Sequence, residues 1–322
     1  MNCLFKEERS YDIKVLDCTI RDGGLVNNFH FTHEFVKAAY NTAIISGVDY
    51  FEIGKIVSPT LMSTKEFGPW NFCNESDLRK IVDNKQSKMK IAVMADIGRT
   101  LKEEILPKKE SVIDLIRVAC YIHQIDEAIE IVEDSHKKGY ETSINLMAVS
   151  KISEEELDGF LSRVSKSNVD IIYIVDSFGT FHSREIRLLV NKYLTATKNN
   201  GKKLGIHAHN NQQLAYSNTI ESMDLGVTFI DATIAGLGRG AGNCPLELLF
   251  GYLKNSDYYI FPVLKFIREH ITELKNQISW GYDIPYMLTG QFNQHPKTAI
   301  SFNKEGKTDY TQLYDDLMVV SV

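Results

Sequence analysis

Two histidines one residue apart, His207-Ala-His209, are the residues of this chain best suited to hold a metal ion. In a β-strand, residues i and i+2 leave the same face, so both imidazoles point one way. At the C-terminal end of a barrel strand they would face the mouth, where such barrels keep their active sites. The plainer alternative is two polar residues in a solvated turn. A metal needs a further ligand, and Asp22, in the run DCTIRDGG, is the carboxylate a closed barrel would bring there. Two neutral nitrogens and one carboxylate leave coordination positions open, the pattern of a catalytic divalent ion that takes substrate oxygens. Arg21 adds a fixed positive charge; unless it serves a rim salt bridge, it would oppose charge developing on an enolate oxygen. The segment Gly236-Leu-Gly-Arg-Gly-Ala-Gly-Asn243 could cradle a phosphate or bring Asn243 to the metal.

These positions require a scaffold, and the chain offers eight short apolar runs at fairly even intervals. Strands are expected at Lys14–Thr19, Tyr50–Ile53, Lys90–Ala95, Leu115–Ala119, Thr142–Met147, Ile171–Val175, Leu204–His209 and Thr228–Thr233. The runs are continuous rather than alternating, as for parallel strands covered on both faces. Between them, Phe35, Val36, Ala39, Ala43 and Ile44 recur at helical spacing after Thr32, a candidate N-cap. Ser153 and Glu156 fit a capping box, and Gly47, Gly139 and Gly226 fit helix ends. Strand–helix alternation of this kind predicts an α/β fold, a (β/α)8 TIM barrel over residues 1–250. A doubly wound sheet would need GxGxxG after the first strand; RDGG stands there, and no nucleotide cofactor is expected. In the barrel the first and seventh strands are separated only by the eighth, which puts Asp22 within reach of the histidines. Residues 251–322 read as a small helical appendage packed on the barrel.

Composition narrows the field. The 322 residues are 43% hydrophobic and 24% charged, globular values that exclude disorder or a disulfide scaffold. A net charge of −6 without a basic run argues against nucleic acid. No apolar stretch approaches the roughly 18 residues of a membrane span. The N-terminal MNCLFKEERSYDI is charged where a signal peptide is apolar, and five cysteines without a CxxC pair suit free thiols in a reducing, cytoplasmic setting.

The segments DCTIRDGG (17–24), IRVA (116–119), VDSFG (175–179), GIHAHNNQQLA (205–215) and FIDATIAGLGRGAGNCPLELL (229–249) together resemble the DRE-TIM metallolyases. That superfamily holds 3-hydroxy-3-methylglutaryl-CoA lyase, isopropylmalate and homocitrate synthases, and 4-hydroxy-2-oxovalerate aldolase, the type this chain is most similar to. The resemblance implies a metal-dependent lyase or class II-type aldolase joining a pyruvate-type enolate of a 2-oxo acid to an aldehyde. It implies Mn²⁺ or Mg²⁺ on Asp22, His207 and His209, with Asn243 completing the shell and Arg21 steadying the enolate. Glu52 and Asp176 match acidic positions near the substrate, and Tyr282, in WGYDIPY, a tyrosine that reaches the site. Such aldolases pair with an aldehyde dehydrogenase, and a homo-oligomer is the other expected assembly. One position departs: the aldolases carry a general-base histidine three residues beyond the metal-binding aspartate, and this chain has Leu25. Leucine moves no proton. His30, Tyr282 or a metal-bound water would then take the role, or the reaction differs. The alternatives are a Claisen-type condensation of acetyl-CoA with a 2-oxo acid, and a catalytically idle barrel that binds a metabolite.

Overall fold

The structure is a computed structural model that describes residues 12–82, 87–254 and 257–321; Cys3 lies outside them. All eight expected strands form: β1 (Lys14–Asp17), β2 (Tyr50–Lys55), β3 (Lys90–Asp96), β4 (Leu115–Cys120), β5 (Glu141–Leu146), β6 (Ile171–Asp176), β7 (Lys203–Ala208) and β8 (Phe229–Ala232). Each runs parallel to the next, and β8 pairs back with β1, Leu16 opposite Asp231, to close the (β/α)8 TIM barrel.

Both faces of every strand are covered, which is why the runs read as continuously apolar. Outward residues such as Phe51, Ile53, Ile91 and Val118 pack under the helices. Each such side chain, fully buried, contributes about 1.5–3 kcal/mol. Inward residues fill the lumen in layers. Leu16, Tyr50, Ala92, Leu115, Ile171 and Phe229 belong to an apolar plug. Two residues further along the strands, the same inward parity delivers Glu52, Arg117, Asp231 and His207, all buried. A charged layer therefore rests on an apolar floor. In β2 the register against β3 shifts between Glu52 and Gly54, a bulge beside that layer.

The helical signals hold. Thr32 accepts the Phe35 N–H, Ser153 and Glu156 form their reciprocal box, and Gly47, Gly139 and Gly226 have φ of +79°, +96° and +108°. The first strand is shorter than expected. It ends at Asp17, and Thr19–Asn27 (TIRDGGLVN) is a helix. Two glycines argue against helix by propensity, but a Cβ on Gly23 would lie 2.8 Å from Leu237 and one on Gly24 2.2 Å from Phe29. Packing overrides propensity there. Arg21, Asp22 and Leu25, at i, i+1 and i+4, thereby share the helix face that looks into the barrel mouth.

After β8 come helices at Leu246–Leu253, Ile260–Phe266, Ile284–Gln291, Lys297–Lys304 and Tyr310–Ser321. The last three enclose Leu288, Phe302, Leu313 and Leu317. Asn211, just past β7, donates to Tyr286 O at 3.1 Å, and Asn293 donates to Ser150 O, past β5, at 2.8 Å. These bonds hold the tail over the C-terminal end of the barrel. No helix among the described residues is long and apolar enough to cross a membrane.

Candidate metal centre

Asp22, His207 and His209 converge at the mouth, one ligand atom from each lying within 4.8 Å of the others, all three side chains buried. His207 is fixed from behind. Its Nδ1 lies 2.9 Å from Asp231 Oδ2, which holds the ring so that Nε2 turns forward, 3.2 Å from Asp22 Oδ2. Carboxylate backing of this kind orients a metal-binding histidine and raises its basicity. Asp231 in turn accepts from Arg117 Nη2 at 2.6 Å, and Arg117 Nη1 reaches Glu52 at 2.9 Å. Glu52 takes Arg21 Nε at 2.7 Å, and Arg21 Nη1 returns to Asp22 at 2.5 Å. The result is a closed ring of buried charges: two arginines, three carboxylates and one imidazole.

The donor set fits a divalent ion. His207 Nε2 and both amide atoms of Asn243 are buried without a hydrogen-bond partner, a costly state for polar atoms unless something else satisfies them. Asn243 comes this close because Gly238 intervenes: a Cβ there would sit 2.6 Å from Asn243 Nδ2 and 2.7 Å from Asp22 Oδ1. The loop is tied down by a bridge between His209 and Asn243 and by Asn210 N–H to Gly242 O at 2.8 Å. Burial raises the Asp22 carboxyl, but Arg21 and the two histidines outweigh it and hold it well below its usual range. Burial keeps His209 neutral, well below its ordinary value. The ring carries a net charge of −1 with His207 neutral, which a divalent cation complements.

The profile of the HMGL-like family matches residues 12–260, from the start of β1 to beyond the glycine loop. The chain belongs to the HMGL-like family. Among proteins it is similar to, an oxaloacetate decarboxylase of Mycobacterium tuberculosis is 30% identical over 243 residues, covering 74% of this chain and 69% of that one. A 4-hydroxy-2-oxovalerate aldolase of Geobacillus genomosp. 3 is 29% identical over 241 residues, covering 75% and 70%. Among solved structures, the N-terminal domain of a putative aldolase from Bacteroides vulgatus superposes with a TM-score of 0.76 at 32% identity, covering 90% of this chain and 96% of that one.

The HMGL-like cleft at the mouth has a volume of about 360 Å³ and is lined by Arg21, Asp22, Leu25, His207, His209, Arg239 and His295 among others. A larger cavity of about 630 Å³ lies on the flank, against the β2–β3 and β3–β4 connections. Its lining is mostly apolar and contains none of the converging ligands, so the smaller cleft is the candidate site. Glu52 sits beneath the cleft rather than in its wall, clamped by the two arginines. Asp176 accepts the N–H groups of Thr180 and Phe181 at 3.0 and 3.3 Å, so its carboxylate closes the turn after β6. Tyr282, expected to reach in, is 61% exposed and does not line the cleft. His295 is the tail residue that lines it instead. His30 contacts Glu66 O at 3.1 Å on the flank, away from the cleft. Arg117, Asp231, Arg239, His295 and the buried pair Lys55–Asp96, 2.6 Å apart, went unassigned in the sequence. Strand parity relative to His207 and Glu52 could have found Arg117 and Asp231; nothing local marks His295.

Asp17, on the outer side of the ring, yields a pH prediction. Burial pushes its carboxyl up to about 6, against two bonds from Thr19 that pull it down, and Oδ2 has no partner. The folded state thus holds this proton more tightly than the unfolded chain. Its contribution is fully present below pH ~4 and is lost as pH rises through about 6. Thermal or urea unfolding of wild type against Asp17→Asn should show a decline of about 3 kcal/mol between pH 4 and 7 that the variant lacks. Parallel pH profiles would refute it.

Proposed function

We propose that the protein is a divalent-metal-dependent carbon–carbon lyase of a 2-oxo acid, forming or consuming a pyruvate-type enolate. The supporting observation is the convergence of Asp22, His207 and His209 with Arg21, all buried, in one cleft at the barrel mouth. These three, with Asn243 beside them, would hold Mn²⁺ or Mg²⁺, which would supply Lewis-acid polarisation of a 2-oxo acid. Arg21 is committed through Nε and Nη1 to Glu52 and Asp22. Nη2 has no partner among the described residues and is free to oppose charge on the enolate oxygen. Asp231 and Arg117 keep the His207 ring from turning, so the ligand geometry is set before substrate arrives. If the leaving fragment is a simple aldehyde, a dehydrogenase partner that captures it is expected.

Leu25 favours a second reading. It lines the cleft where an aldolase needs a base for the substrate hydroxyl. Loss of CO2 from a 3-carboxy-2-oxo acid gives the same enolate with no hydroxyl proton to remove, and one relative is named an oxaloacetate decarboxylase.

Proton exchange at C3 of pyruvate in D2O, followed by NMR, tests the common step. Exchange is expected only after Mn²⁺ is restored to metal-stripped protein, and His207→Ala should return it to the metal-free rate. Exchange that ignores metal and His207, or none at all, would sink this reading.

A further inference from the structure

Four cationic side chains line the cleft, Arg21, Lys55, Arg99 and Arg239, against two carboxylates, Asp22 and Asp96. Arg21 pairs with Asp22, and Lys55 pairs with Asp96, which Arg99 also approaches at 3.7 Å. Arg239 is left over: among the described residues no carboxylate lies within ion-pair distance of its guanidinium. Nη2 donates to Ser177 O at 3.1 Å, and Nε is buried with no partner. A part-buried guanidinium with no counter-charge and a buried, unpartnered Nε is costly, and this one lines the cleft.

Its neighbour sharpens the point. Arg239 Nη1 lies 3.4 Å from His295 Nε2. A neutral imidazole has one lone pair in the ring plane, and here it is taken: the backbone N–H of Lys297 donates to His295 Nδ1 at 3.0 Å. Nε2 therefore carries the hydrogen. Two donors face each other across 3.4 Å, which is no hydrogen bond between them but two sides of a site for an anionic oxygen. The ring is steadied edge-on by Phe178, centroids 5.8 Å apart. Arg239 is positioned by the metal loop itself, its N–H donating to Asp22 Oδ1 at 3.2 Å. The site thus stands at a fixed offset from the candidate metal ligands.

We propose that Arg239 and His295 form a subsite for a distal carboxylate, so that the substrate is a 2-oxo dicarboxylic acid rather than a 4-hydroxy-2-oxo monocarboxylic one. This rests on the 2-oxo-acid reading above. One guanidinium edge and one imidazole N–H suit the two oxygens of a carboxylate; a phosphate dianion would call for more donors. An anion held here sits at the end of the substrate remote from the metal. In a cleavage it belongs to the fragment that leaves, and in the reverse direction to the electrophile.

The test uses ligands that are not cleaved. Calorimetric titration of Mn²⁺-loaded protein compares malate with 2-hydroxybutyrate and 2-oxoglutarate with 2-oxovalerate, two lengths differing only in the distal carboxylate. Oxalate, which has no distal group, reports the metal end alone. Wild type should bind the dicarboxylate of at least one pair about 10–100-fold more tightly, the range of a charge-assisted contact. Arg239→Met should abolish that preference while leaving oxalate affinity within about threefold, and His295→Ala should reduce it. Should Arg239→Met fail to fold, the wild-type ratio and His295→Ala still decide. No preference at either length, or one that survives both substitutions, overturns the subsite. Tighter binding of 2-oxo-4-phosphonobutyrate than of 2-oxoglutarate overturns its assignment to carboxylate. Oxalate that fails to bind in a metal- and His207-dependent way overturns the underlying reading as well; oxalate binding without a dicarboxylate preference overturns the subsite alone.

Discussion

Arg117→Met is expected to lower the free energy of unfolding by about 3–5 kcal/mol, the cost of leaving buried charges unpaired. Arg117 is fully buried, and its guanidinium lies over the Tyr173 ring, 4.3 Å from the centroid. Among the described residues it is the one cation that contacts both Glu52 and Asp231. Without it two carboxylates inside the barrel share only Arg21 and the His207 ring. Methionine nearly preserves the packed volume, so the loss reports charge rather than a cavity. Urea unfolding with an unchanged denaturant slope would check it. Adding Glu52→Gln and Asp231→Asn to Arg117→Met should recover part of the loss, since neutral amides need no counter-charge. A loss below about 1 kcal/mol would mean the ring is not what holds these carboxylates.

The same ring shows what the sequence makes legible. Eight apolar runs gave the strands because burial on both faces leaves an unbroken signature. His207 and His209 were legible because two residues on one strand already define a shared direction. Asp22 needed only the barrel's closure to join them. Its local setting carries no helix signal: DCTIRDGG holds two adjacent glycines, and the contacts that make it helical come from Leu237 and Phe29, the first some 200 residues away. Tyr282 and His295 fail for a related reason. Which tail residue reaches the mouth is decided by how three short helices dock, through bonds such as Asn211 to Tyr286 and Asn293 to Ser150. No periodicity encodes that. Arg117 and Asp231 lay in plain view at inward positions, but a charged residue in a strand earns attention only once its buried partners are known.

Leu25→His is expected to raise cleavage of 4-hydroxy-2-oxovalerate by about 10²–10⁴-fold, the usual contribution of a positioned general base. Leu25 follows Asp22 by three residues on the helix Thr19–Asn27, so the two share a face, and both line the cleft. It is half-buried and lines the cleft, and an imidazole is of similar size. The deprotonation step is what the leucine cannot serve: a retro-aldol cleavage must take the proton from the substrate hydroxyl as the bond breaks, and a leucine side chain accepts none. The groups proposed to stabilise the enolate, Asp22, His207, His209 and Arg21, are unaltered by the change. Metal-dependent exchange at C3 of pyruvate should therefore move by no more than a few-fold. Leu25→Ala, which opens the same space without a base, should leave aldol cleavage low. A gain with alanine equal to that with histidine would show that room, not proton transfer, limits the reaction. Wild-type cleavage already as fast as the histidine variant would place the base elsewhere in the cleft, and would return the monocarboxylic aldol substrate to the front.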